Sequence, residues 1–260
     1  MGTSERRRTF DAVVDAYDAI RPSYPAPMFD VVFRMLPGDP HIVEVGPGTG
    51  QATRDLLARG ASVHAIEIGP ALAERLRAKL PTDRLYITVG DFETVDLPSG
   101  GAEALFAATA YHWISRPAQL DRPADLLTPG GVLAIVDLVQ VDDPTDRGFF
   151  AAVQPVYDRY GQGTPVGVHA PARDAVDPPI AHHVADDDRF TDVTVHRYDW
   201  DQTYTGDEYR TLMRSYSGTQ MMSPAERRGL LDDVQRLVED DFDGEVTRPL
   251  VVALTTARRR

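Results

Sequence analysis

The chain has 260 residues, 42% of them hydrophobic, no cysteine and a formal net charge of −13. That length holds one large α/β domain with a substantial core, and that charge argues against a general nucleic-acid binder, whose affinity comes largely from clustered cations. The missing cysteines exclude a disulfide framework, a thiolate metal site and a cysteine nucleophile, and no apolar run approaches the roughly 20 residues that span a bilayer. Basic residues near the start precede no apolar export segment, so a cytoplasmic protein with no membrane partner, monomeric or homodimeric, is the expectation. A composition rich in Asp, Arg, Ala and Pro but poor in Lys points to a bacterial source.

Residues 1–40 read as helical: a helix around Phe10–Ile20, the stiff segment Arg21-Pro22-Ser23-Tyr24-Pro25, and a helix from Ala26 to Leu36 ended by Pro37-Gly38. His41–Val45 is branched and apolar like a buried strand. It passes through Gly46-Pro47-Gly48-Thr49-Gly50-Gln51 into a helix closed by Gly60. Glycines in such a turn let backbone run close to a ligand, and the helix start offers unpaired N–H groups. A second strand, Ala61–Ile66, ends at Glu67, either a surface carboxylate or an acceptor for both hydroxyls of a ribose. Pro70–Leu80 reads as a helix with proline in its first turn, and Leu85–Val89 as a third strand. Asp91, in Gly90-Asp91-Phe92-Glu93, either meets a ligand or caps a turn. The fourth strand, Ala104–Ala108, leads into Thr109-Ala110-Tyr111-His112-Trp113-Ile114. Leu126–Gly131 reads as a helix before the apolar fifth strand, Val132–Val136.

Residues 140–189 read as an insertion, with a helical piece around Arg147–Tyr160 and a Gly/Pro-rich link. His182-His183 and Asp186–Asp188 read there as a solvated loop and not a metal site. A sixth strand at Phe190–Trp200, helices at Asp207–Tyr216 and Pro224–Phe242, and a seventh strand at Glu245–Ala257 complete the pattern. The Arg6–Arg8 and Arg258–Arg260 clusters read as solvated ends.

The spacing Gly46-x-Gly48-x-Gly50, with Gln51 where the dinucleotide fingerprint needs a small residue, resembles the first motif of class I S-adenosylmethionine-dependent methyltransferases. Glu44 in the first strand, Asp91-Phe92 after the third and Leu127-x-Pro129-Gly130-Gly131 before the fifth are similar in the same register. Phe10-Asp11, Ala16-Tyr17-Asp18 and Arg21-Pro22-x-Tyr24-Pro25 resemble the branch that includes trans-aconitate-type and cantharidin-resistance carboxyl methyltransferases. The resemblance implies a Rossmann-like, mainly parallel seven-stranded sheet with helices on both faces and an antiparallel last strand, in a single domain. Within it, residues 1–40 would be a helical lid, 41–139 the cofactor core, 140–189 an insertion and 190–260 the C-terminal strands and helices.

The same resemblance implies S-adenosylmethionine as cofactor and S-adenosylhomocysteine as product. Tyr17, Arg21, Glu44, Gly46, Pro47, Gly48, Gly50, Gln51, Glu67, Ile68, Asp91, Phe92 and Thr109 would surround it, with Asp91 on the adenine amino group and Phe92 against the ring. Tyr24, Tyr111, His112, Trp113 and Tyr216 would face a small-molecule acceptor, although Tyr17, Tyr24 and each aromatic have core packing as an alternative. The acceptor atom stays open among carboxylate or hydroxyl oxygen, nitrogen and carbon. A sulfonium already activates its leaving group, so displacement needs alignment and dryness and no metal. Only an acceptor that carries a proton needs a base, for which His112 is the candidate, beside positioning and structural roles. The rivals are an NAD(P)-dependent oxidoreductase and a cofactor-binding protein that transfers no methyl group.

Overall fold

Alternating strands and helices build the sheet that carries the site, in a computed structural model that describes residues 23–143, 148–165 and 168–260. Tyr17, Arg21, the expected helix around Phe10–Ile20 and Arg6–Arg8 lie outside the described residues. In chain order the elements are α1 (Ala26–Arg34), β1 (His41–Val45), α2 (Thr53–Ala58), β2 (Ser62–Glu67), α3 (Pro70–Lys79), β3 (Leu85–Val89), β4 (Ala102–Ala108), α4 (Ala118–Leu126) and β5 (Leu127–Gln140). They continue with α5 (Phe149–Arg159), α6 (Pro179–Ala185), β6 (Phe190–Asp199), β7 (Gln202–Thr205), α7 (Gly206–Arg214), α8 (Ser217–Gln220), α9 (Pro224–Asp241), β8 (Glu245–Arg248) and β9 (Leu250–Arg259).

One compact unit takes residues 23–139, 176–198 and 252–260 and contains most of a seven-stranded sheet in the order β3-β2-β1-β4-β5-β9-β6. β1 pairs in parallel with β2 and β4, β2 with β3, and β4 with β5. Strands covered on both faces need apolar side chains nearly throughout, which is why Val132–Val136 reads as a continuous run and Ile42–Val45 is apolar except at Glu44. On one face Val43, Leu105, Leu133 and Ile135 pack with Leu120 and Leu126 of α4. On the other, Phe106 stacks on Phe29 of α1 with ring centres 6.0 Å apart. The registers Val45↔Ile66, Val45↔Ala107, Glu67↔Val89 and Ala108↔Val136 bring five strands out at one carboxyl edge.

Residues 140–175 and 199–251 form a second unit from the two insertions. Its helices α7 and α9 both begin with capping boxes, Thr205 with Glu208 and Ser223 with Glu226, which satisfy otherwise orphaned N–H groups. Phe149 meets Tyr209 and Phe242 edge-on at 5.0 and 5.3 Å in a core that includes Leu230, Val234 and Val238.

Several sequence expectations change. Leu126–Gly131 is not a helix: α4 ends at Leu126, Leu127 pairs with Ala102, and Gly130 takes φ +78°, which a helix cannot hold. The expected seventh strand is two strands, because Pro249 has no N–H to donate to a ladder. Its first half, β8, pairs antiparallel with β7, a strand the sequence pattern did not reveal. His182 and His183 lie on α6 rather than in a loop, with His182 Nε2 2.6 Å from Asp177 Oδ2. Arg258 and Arg259 belong to β9 and are not merely solvated, since Arg258 donates to the Gly130 and Met35 carbonyls and Arg259 to that of Ala124.

Candidate functional site

The turn after β1 leaves the sheet at its carboxyl edge with Gly46 at φ +64°, Gly48 at φ +59° and Gly50 at φ +94°. A Cβ on Gly46 would lie 2.6 Å from Ala110 Cβ, and one on Gly50 would lie 2.6 Å from a Leu76 methyl carbon. At both positions glycine is therefore required by this protein's own packing, against the strand-four exit and against α3, as well as by its dihedrals. Gly46 N donates to Ile66 O at 2.9 Å and Gly50 N to Pro47 O at 3.0 Å, while Gln51 Nε2 donates to Thr49 Oγ1 at 2.9 Å.

Two carboxyl groups lie buried behind that turn. Glu67, 4% exposed, accepts from Gly48 N at 3.0 Å through Oε2 and from Gly69 N at 2.8 Å through Oε1. Its carboxylate thus braces the glycine turn against the loop after β2, which contains Ile68. Glu44, 1% exposed, accepts from Thr53 Oγ1 at 2.7 Å. Burial, opposed by the Thr53 hydroxyl and aided by the nearby Glu67 charge, pushes Glu44 up to about 8. It therefore holds a proton at neutral pH and works as a neutral tie between β1 and α2.

Beyond β3, Asp91 Oδ1 accepts from Glu93 N at 3.0 Å, and its carbonyl accepts from Thr94 N and Val95 N. Asp91 thus caps a turn. Phe92 is buried beneath the Arg122 guanidinium, 5.3 Å from its ring centre, and Arg122 also donates to the Phe92 and Val95 carbonyls. At the end of β4, Thr109 sits at φ +54°, a conformation costly for a β-branched residue. It is held by Thr109 N donating to Val136 O at 2.8 Å and by a 3.3 Å contact between its Oγ1 and Tyr24 Oη.

The aromatic candidates separate. Tyr111 is 2% exposed and donates its hydroxyl to Gln119 O at 2.6 Å, so it anchors α4 within the core and offers an acceptor nothing. His112 is exposed, and half-buried Trp113 lies with its ring centre 4.9 Å from the imidazole. Tyr216 belongs to the second unit, where Arg248 donates to its hydroxyl at 2.6 Å. Asp137 was not singled out from sequence. It is the residue of β5 after the Ala108↔Val136 pair, half-buried, and burial pushes its carboxyl up to about 6. An acidic residue closing the apolar run Val132–Val136 was the available signal.

Residues 43–135 match the model of a methyltransferase domain. The chain is 30% identical over 234 residues to an uncharacterized methyltransferase of Mycobacterium tuberculosis, covering 88% of this chain and 85% of that protein. The chain belongs to the methyltransferase family. Within it, similarity extends to the malonyl-[acyl-carrier protein] O-methyltransferase of Halorhodospira halophila, 28% identical over 238 residues, with 86% of this chain and 74% of that protein covered. The fold is also that of a phosphoethanolamine N-methyltransferase of Haemonchus contortus, solved with phosphomonomethylethanolamine and S-adenosylhomocysteine, at a TM-score of 0.54 and 16% identity over 96% of this chain and 57% of that one. As a methyltransferase, the chain is not the nicotinamide oxidoreductase that its glycine turn left open. No helix among its described residues is long and apolar enough to cross a membrane.

Proposed function

We propose that this methyltransferase moves the methyl group of S-adenosylmethionine to a small-molecule acceptor by in-line displacement at the sheet's carboxyl edge. The observation that carries the reading is Glu67, a buried carboxylate at the end of β2 fixed against the glycine turn by Gly48 N and Gly69 N. It takes the two ribose hydroxyls, Asp91 takes the adenine amino group, and Phe92 backs the ring under Arg122. Gly46, Pro47, Gly48, Gly50 and Gln51 shape the turn beneath the cofactor, Ile68 flanks the ribose, and Glu44 supports the turn from behind. Thr109 and Ala110 leave room for the methionine portion.

The bound cofactor supplies a sulfonium methyl whose leaving group is already activated. Residues of this chain then have three tasks: to hold the acceptor in line, to exclude water and to take a proton where the acceptor has one. Tyr24 and Trp113 wall the acceptor side. His112 is the proton acceptor or the positioning group. A carboxylate oxygen would need no base, and a hydroxyl would rely on His112. The net charge of −13 favours a small molecule over nucleic acid.

Calorimetric titration tests the reading. S-adenosylhomocysteine should bind at micromolar concentrations and NADH should not, and the reverse pattern overturns the assignment. Release of S-adenosylhomocysteine with an acceptor present separates transfer from binding without transfer.

A further inference from the structure

The second unit holds a guanidinium with no carboxylate partner among the described residues. Gln140, which ends β5, donates from Nε2 to Pro249 O at 3.2 Å, and this turns its Oε1 toward Arg248. Arg248 then donates to that oxygen from Nε at 3.2 Å and from Nη2 at 3.0 Å, and from Nη1 to Tyr216 Oη at 2.6 Å. The face of the guanidinium lies 5.7 Å from the Phe150 ring centre. A guanidinium has five N–H donors, and these contacts use three. Neither oxygen partner is a carboxylate.

Two other arginines of the same unit are neutralised. Arg173 is paired with Asp143 at 2.6 Å and Asp201 at 2.7 Å, and Arg210 with Asp232 at 2.5 Å. Among the described residues, the groups whose charge acts on Arg248 are instead phenols, those of Tyr216, Tyr209, Tyr204 and Tyr157. Tyr157 and Tyr209 share a 3.1 Å hydroxyl contact, and burial pushes Tyr157 up to about 12 and Tyr209 upward as well. Their hydroxyls stay protonated and leave the cation unneutralised. A half-buried cation held only by neutral dipoles is costly unless a negative group completes it.

We propose that Arg248 binds the carboxylate of a small organic acid. Two N–H donors remain for a planar, two-oxygen anion, the geometry a guanidinium matches best. One cation lined by Phe150 and tyrosine rings suits a monoanion with an organic body better than inorganic phosphate, which needs more donors. Gln140 and Tyr216 are positioning residues that hold the fork.

The test uses the full chain without cofactor. Benzoate and propionate, each paired with its neutral amide, are titrated by ligand-observed NMR, with inorganic phosphate as a competitor. At least one acid should bind about tenfold or more tightly than its amide. Arg248→Met should abolish that preference, Arg248→Lys should retain part of it, and Tyr216→Phe should weaken it. If Arg248→Met does not fold by circular dichroism, Gln140→Glu serves instead: it supplies the missing counter-ion, so the protein should gain thermal stability while acid binding is lost. The proposal falls if neither acid binds, if acid and amide bind alike, if phosphate competes as well as the acids do, or if folded Gln140→Glu binds acid unchanged. S-adenosylhomocysteine binding is measured separately. Acid binding without it leaves the Arg248 site standing and removes the methyl-transfer reading, and the opposite result removes only the site.

Discussion

Replacing Glu67 by glutamine keeps the shape of a side chain that is 4% exposed and changes one oxygen into an NH2 group. Its two oxygens accept from Gly48 N and Gly69 N, at 3.0 and 2.8 Å, so whichever way the amide turns, one backbone donor faces another donor. A hydrogen bond to a charged group is worth about 1.5–3 kcal/mol, and leaving its buried partner unsatisfied costs about 1–3 kcal/mol. We expect a stability loss of about 2–3 kcal/mol, which for a chain of this size lowers Tm by about 2–4 °C per kcal/mol. The ribose loses one charged acceptor as well, so the Kd for S-adenosylhomocysteine should rise by about 10- to 100-fold. Scanning calorimetry reads the first number and isothermal titration the second. A variant that melts early but binds S-adenosylhomocysteine within about twofold of wild type would reduce Glu67 to a brace for the turn. One unchanged in both would refute the geometry.

Gly46→Ala should cost stability beyond the ~1–2 kcal/mol of a left-handed alanine, because its Cβ would meet Ala110 Cβ at 2.6 Å, and thermal melts check this. Glu44 carries its proton to about pH 8 in the folded chain against an ordinary value of 4.5, so the folded state binds the extra proton between those values. Its contribution to stability is therefore fully present below pH 4.5 and lost as pH rises toward 8. Glu44→Gln should remove that slope, and urea midpoints at pH 5 and pH 8 that fall equally in both proteins would contradict it. His112→Ala should lower turnover by about 10²-fold or more, if His112 takes the proton, while S-adenosylhomocysteine affinity stays near wild type. Unchanged kinetics would leave His112 a structural role.

Much of the core was legible because its constraints are local. His41–Val45, Leu85–Val89 and the helix that starts at Pro70 follow from apolar runs, a first-turn proline and glycine punctuation, each read within about ten residues. The boundary at Leu126 and the break at Pro249 were harder. Whether a Thr-Pro-Gly-Gly stretch extends a helix or a strand depends on Leu127 finding Ala102 beside it, and β8 exists only because β7 pairs with it.

The sequence by itself determined the first strands and helices of the core, the glycine turn and the acids at the ends of its strands, since backbone dihedrals and side-chain period are properties of neighbouring residues. Only the tertiary structure decided what those residues do. It sent Tyr111 into the core and kept His112 outside, and it traced Gly46 to Ala110, a contact across 64 positions of chain. It also joined Gln140 to Arg248 across 108 positions, in a guanidinium with no carboxylate partner among the described residues. Burial and partner choice arise from residues distant in the chain, and they set the charge state of Glu44 and the unspent donors of Arg248.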